Sequence, residues 1–184
     1  MKLADLLSQA IGYCSEDQSE VLQKMLRKIL EAPFEEGDFY AKFLKAISLN
    51  KIDSASEKLY ETLLHDCAAG GISEAQYIYG CILYDKGKQD EAIKYYLISA
   101  NNGYSKSQWC YGTDLFHGTG GLQKDEAEGL FYIELAAGQL NNYALEFLVD
   151  LYSRENGSIR KCSRKAKKYS MMLEWAENRE EGFL

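Results

Sequence analysis

A small residue, a glycine five positions on and an aromatic four beyond that occur twice in this chain. They appear as Ala75, Gly80 and Tyr84 and again, 32 residues later, as Ser107, Gly112 and Phe116. A motif recurring at this period marks a supersecondary unit that cannot bury its apolar face alone, so the chain has to stack copies of it. Each copy is followed by a second segment that ends in a small-residue pair: Ser99-Ala100 with Gly103, and Ala136-Ala137 reaching Leu140. Cys67-Ala68 with Gly71 is an earlier version of the same ending. A further unit opens at Ala144, 37 residues after Ser107, with Val149 in the glycine place and Tyr152-Ser153 near the aromatic one. Ala41, Ala46 and Asn50 mark a worn first unit. The two ends are the degenerate copies, as capping repeats should be.

The units are helical. A single proline among 184 residues leaves no turn punctuation for a run of short strands. A composition of 46% hydrophobic and 27% charged residues is ordinary for a soluble globular protein, and the common Ala, Leu, Glu, Lys and Tyr favour an all-α fold. Ser54 to Glu57, Ser73 to Gln76 and Ser105 to Gln108 each fit the S/T-x-x-E/Q pattern, which predicts a capping box at three helix starts. Gly71, Gly87, Gly103 and Gly118 stand where a residue of positive φ ends a helix. The pattern predicts helices at 2–13, 17–32, 37–50, 54–69, 73–86, 89–102, 105–117, 124–137, 142–154 and 163–180. Residues 1–35 read as an amino-terminal helical extension closed by Ala32-Pro33 and covering the first repeat; residues 36–184 read as a repeat domain of about four helix pairs.

The run Ser73-Glu74-Ala75-Gln76-Tyr77-Ile78-Tyr79-Gly80-Cys81-Ile82-Leu83-Tyr84-Asp85-Lys86-Gly87, continued by Asp90-Glu91-Ala92-Ile93-Lys94-Tyr95-Tyr96 and Ala100-Asn101-Asn102-Gly103, resembles one complete Sel1-like repeat, a relative of the tetratricopeptide repeat. Gly118 to Asp125 resembles the glycine-containing loop between the two helices of such a repeat. Three places depart from the pattern: Val149 for the helix glycine, Gly129 where alanine is usual, and Leu140 at the closing turn. The resemblance implies a right-handed α/α superhelix, or solenoid, whose first helices line a concave surface, and it implies protein binding with no reaction. Ala75, Gly80, Ala92 and Ala100 would let paired backbones approach, and Tyr79, Tyr84 and Tyr96 would fill the space between pairs.

The residues able to do chemistry are few. Cys14, Cys67, Cys81, Cys110 and Cys162 are odd in number and never at metal-ligand spacing, so they read as small buried hydrophobes in a reducing compartment. His65-Asp66-Cys67 holds the ingredients of a nucleophilic site, yet neighbours on a helix point about 100° apart and do not converge. An unrecognised hydrolase using Cys67 or His65 is accordingly the third-ranked reading. Gly118-Thr119-Gly120-Gly121 lacks the Gly-Lys-Ser/Thr that a phosphate loop needs. No cofactor or metal is expected. Arg160, Lys161, Arg164, Lys165, Lys167 and Lys168 read as a solvated basic run spread around the last helix, with Ala166, Tyr169, Met172, Leu173 and Trp175 on its buried side.

Charge is unevenly placed. Residues 51–150 carry 15 acidic and 7 basic side chains, a net of −8, whereas residues 151–184 carry 5 acidic and 8 basic, a net of +3. The acidic middle disfavours nucleic acid and suits a basic protein partner. No window approaches a membrane span, and Asp5 and Gln9 interrupt the apolar start, so a cytoplasmic location is the expectation.

One face of the first helices carries Glu74, Tyr77, Cys81, Tyr84 and Asp85, then Lys106, Trp109, Thr113, Phe116 and His117, then Tyr143, Glu146, Asp150 and Ser153, with Tyr40, Phe43, Ile47 and Asn50 in the worn unit. From this face the expected partner contacts are Phe43, Tyr77, Tyr84, Asp85, Trp109, Phe116, His117, Glu146 and Asp150. Two readings of Tyr77 and Trp109 stand side by side: anchors for a partner, or packing between adjacent repeats. The leading functional expectation is a non-catalytic inhibitor of the immunity-protein kind that neutralises a basic partner such as a toxin. The alternative is an adaptor, chaperone-like scaffold or secreted effector that holds several partners.

Overall fold

The computed structural model describes residues 39–48, 54–155 and 159–181. Every regular helix or strand among them is an α-helix: α1 (Phe39–Ser48), α2 (Ser54–Ala69), α3 (Ser73–Asp85), α4 (Gln89–Asn101), α5 (Ser105–His117), α6 (Glu126–Gly138), α7 (Asn142–Ser153) and α8 (Ser163–Glu181). Each end lies within two residues of the sequence expectation. The helices expected at 2–13 and 17–32, and with them the amino-terminal extension, lie outside the described residues. The chain divides into two compact units, residues 1–76 and 77–184.

One junction recurs. The Gly71 N–H donates to Ala68 O (3.1 Å) and the Ile72 N–H to Cys67 O (3.1 Å). The same pair of bonds runs from Gly87 and Lys88 to Tyr84 and Leu83, from Gly103 and Tyr104 to Ala100 and Ser99, and from Leu140 and Asn141 to Ala137 and Ala136. These are Schellman turns, and the residue in the left-handed position is glycine at φ 91°, 75° and 87° and leucine at φ 61°. The residue that closes each turn also opens the next helix: the carbonyls of Ile72, Lys88, Tyr104 and Asn141 accept from Gln76, Ala92, Gln108 and Leu145.

That double use corrects the expected capping boxes. Ser73 and Ser105 stand one residue inside their helices, because Ile72 and Tyr104 already hold the N-cap place. The Ser54 side chain is outside the described ones. The glutamines of the pattern reach backward instead, Gln76 Nε2 donating to Ala68 O and Gln108 Nε2 to Ala100 O, both at 3.1 Å. Each adds a second hydrogen bond to a carbonyl that already accepts from the glycine N–H of the turn. True side-chain caps occur at α6, where Asp125 accepts from the Ala127 and Glu128 N–H groups, and at α7, where Asn141 accepts from Ala144.

In the first unit α1 lies against α2. Phe43, Ala46, Leu64 and Cys67 are buried, and Cys67 Sγ donates to Phe39 O at 3.3 Å.

In the second unit α5 and α6 approach backbone to backbone. A Cβ placed on Gly112 would lie 2.9 Å from Gly129 O, and one on Gly129 would lie 2.7 Å from Gly112 O and 2.6 Å from Phe116 N. Gly129, a departure from the repeat pattern, is thus the partner that lets these two backbones meet. At Gly80 the obstacle is a ring instead, since a Cβ there would lie 2.7 Å from the buried Tyr96. Tyr84, expected between helix pairs, is 40% exposed, whereas Phe116 at the equivalent place in α5 is buried.

Further along, Glu134 Oε1 accepts from Tyr152 OH (3.2 Å), Tyr169 OH (3.2 Å) and Lys165 Nζ (3.3 Å), joining α6, α7 and α8. Lys165, one of the expected solvated cations, therefore turns inward, and its Nζ also donates to Tyr152 OH at 2.9 Å. Trp175, expected on the buried side of α8, is 54% exposed, and Ala176 is buried in its place.

The backbone geometry makes two glycines differ in what they tolerate. Gly103 has open space around its missing Cβ but φ of 87°, so Gly103→Ala carries only left-handed strain, about 1 kcal/mol. Gly112→Ala drives a Cβ into a backbone carbonyl and forces α5 away from α6, which costs about 2 kcal/mol or more. Urea unfolding of both variants should give that order, and equal losses would refute the close contact.

Ionisation supplies a further prediction. Burial pushes the Cys110 thiol up to about 12 and, with the charge and hydrogen bond of Glu134, the Tyr169 phenol up to about 12. Tyr152 rises mainly through burial, and Lys165 mainly through its hydrogen bond to Tyr152. In each case the native state holds its proton more tightly than the unfolded chain. The stability these groups contribute is complete below the ordinary thiol value of 9.0 and is lost as pH climbs through the raised native values. Urea midpoints should be level near neutrality and fall steeply in alkali, and a midpoint that rises there would contradict these shifts.

Candidate interaction surface

Helices α5 and α7 begin successive repeats of the second unit, and each starts directly at a junction that fixes its rotation. Trp109, in the second turn of α5, is half-buried and stacks on Tyr143 of α7 at 6.3 Å and 22°. It meets Phe147, one turn further along α7, edge-on at 5.7 Å. Phe147 also touches Phe116 (5.2 Å) and His117 (6.1 Å), and the last two touch each other at 5.1 Å. Five aromatic rings thus form one cluster across two repeats.

The cluster has a buried and an open side. Phe116, at 7% exposure, belongs to the core, so it supports the surface and does not form it. Tyr143 is 67% exposed, and His117 at the end of α5 is exposed as well. Exposed Glu146 and Asp150 follow Tyr143 on α7, and Asp150 already holds Arg154 in an ion pair. A cation on this side of α7 is therefore a contact the protein itself makes.

The other expected contacts fall elsewhere. Tyr77 is half-buried and lies against Tyr104 (5.4 Å) and Tyr96 (6.0 Å), and burial, foremost, raises its phenol. Tyr84 and Asp85 are exposed at the end of α3. Phe43 is 7% exposed in the first unit and is a core side chain, a correction to its expected role, because α1 turns it onto α2. Of the two readings of Tyr77 and Trp109, packing between repeats describes both. Phe147 was missing from the expected contacts. Its signal is the i, i+4 pair Tyr143 and Phe147 on the helix that faces Trp109.

Groups with chemical potential are engaged otherwise. Burial first, and Asp66 second, push the Cys67 thiol up to about 11, so it is neutral near pH 7, and it donates to a backbone carbonyl. His65 Nδ1 lies 3.8 Å from Asp66 Oδ1, with both side chains about half exposed. In the glycine loop Thr119 Oγ1 donates to Asp114 Oδ1 at 2.6 Å, and a Cβ on Gly121 would lie 3.2 Å from Asp90 Oδ1. Carboxylates beside such a loop repel a phosphate. Among the described residues no group of three or more His, Cys, Asp or Glu could hold a metal ion. Among the same residues, no helix is long and apolar enough to cross a membrane.

No family model matches the sequence, and no curated protein matches it. Solved structures do. A Sel1 repeat protein from Oxalobacter formigenes superposes with a TM-score of 0.71 at 20% identity, covering 84% of this chain and 65% of that one. A protective antigen present in uropathogenic Escherichia coli strains, described as displaying an SLR fold, gives 0.66 at 19% identity, covering 94% of this chain and 39% of that one. The present chain thus spans under two thirds of the first structure and well under half of the second. The all-helical repeat, its glycine-closed junctions and these superpositions give one conclusion: the chain has the Sel1-like repeat fold.

Proposed function

We propose that this protein is a non-catalytic binding module whose contact surface is the open side of the aromatic cluster on α5 and α7. The observation that carries the reading is Tyr143, largely exposed and held in place by a stacked tryptophan, with Glu146 and Asp150 on the same helix. A rigid ring with a polar tip loses little entropy on binding, and carboxylates beside it favour Lys or Arg from the partner. The net of −8 over residues 51–150 steers a basic protein toward this surface.

Within this class the leading reading is a cytoplasmic inhibitor of the immunity kind, which binds one basic partner, such as a toxin, and neutralises it. An adaptor that holds several partners weakly is the alternative. Affinity purification at low salt separates them, because an inhibitor retains one stoichiometric basic protein and an adaptor retains several at low occupancy.

The captured partner then tests the surface. Tyr143→Ala removes an exposed side chain and should weaken binding by about 1 to 2 kcal/mol while leaving the unfolding midpoint in place. Glu146→Lys should weaken binding further at low salt than at high salt, since screening already removes part of the attraction. Wild-type affinity in both variants would show that another face makes the contact.

A further inference from the structure

The outer side of α8 is the complement of the surface just described. At about 100° per residue, Arg164, Lys167, Lys168, Met171 and Trp175 fall within a sector of roughly 100°, opposite the buried Tyr169 and Ala176. The three cations are exposed, Met171 is 62% exposed and Trp175 54%. Lys165, the cation that would have spread the charge to the inner side, is drawn to Glu134. What remains is a one-sided stripe, basic toward the start of the helix and apolar further on, with Glu174 at its flank.

We propose that this stripe docks on the Tyr143–Glu146–Asp150 face of a second copy of the chain. Charge and surface complementarity within one unit point to that occupant: α7 offers an exposed aromatic with two carboxylates, and α8 offers exposed cations with an exposed methionine and tryptophan. Arg154 on Asp150 shows that the carboxylate face takes a guanidinium. Each copy carries both faces, so every contact pairs the α8 stripe of one copy with the α7 face of another. It rests on the binding surface proposed above, with the α8 of a neighbour as a partner for it.

The test is sedimentation of the purified chain from micromolar to near-millimolar concentration at low and high salt, with two double variants. One carries Arg164→Glu and Lys168→Glu; the other carries Tyr143→Ala and Glu146→Lys. All four positions are exposed, and circular dichroism melts check that both variants fold. The wild type should grow with concentration and shrink with salt. Each variant should stay monomeric alone, and the two mixed should form a one-to-one complex through the pair of faces left intact.

A wild type that is monomeric at every concentration overturns the proposal, as does association that survives either double variant or a mixture that fails to complement. Co-sedimentation of a monomeric wild type with anionic lipid vesicles, lost in the α8 variant, would assign the stripe to a membrane surface instead. A monomeric wild type whose captured basic partner is still lost on Tyr143→Ala would sink this inference and leave the binding function standing.

Discussion

The Schellman turn that also begins the next helix is the constraint from which the rest of the structure follows. Within the second unit, with the residue at Lys88, Tyr104 and Asn141 serving as the close of one helix and the N-cap of the next, successive helices have little freedom in their relative rotation. The alternation of αL residue and N-cap sets which side chains of each helix face the previous one. Gln76 and Gln108 reinforce the turn by giving its Ala68 and Ala100 carbonyls a second donor. At Leu140 the turn survives without glycine, so the requirement for the junction outweighs the steric penalty of a left-handed leucine.

Once rotation is fixed, residue size decides distance. Gly112 and Gly129 allow α5 and α6 to touch through their backbones, and Gly80 instead receives the ring of Tyr96. The same packing places Trp109 against Tyr143 and Phe147 across a repeat boundary. The surface proposed for binding is thus a by-product of stacking: core rings hold the outer ones rigid, and rigidity lowers the entropic cost of using them.

Charge is unevenly placed within the second unit. The carboxylates of α7 and the cations of α8 belong to one compact unit, and its interior handles its own charge through Glu134, Lys165, Tyr152 and Tyr169. Burial, foremost, makes the two phenols of this hub hold their protons more firmly, and the hydrogen bond to Tyr152 does the same for the Lys165 ammonium against the opposing effect of burial.

The repeat, the helix limits and the left-handed glycines were legible in the amino-acid sequence because they are local: they depend on side-chain period, on turns and on the freedom of φ at Gly71, Gly87, Gly103 and Gly118. The sequence also marked Trp109 and Tyr143 as lying on related helix faces. It did not distinguish the roles of equivalent positions. Tyr84 and Phe116 share a register yet one is open and the other buried, Phe147 joins the cluster, Trp175 faces outward, Lys165 inward, and Gly129 proves to be a contact and not a lapse. Those outcomes were decided by tertiary structure, because burial of a side chain is set by the helix that lands on it, and that helix comes from 17 to 38 residues away in the chain.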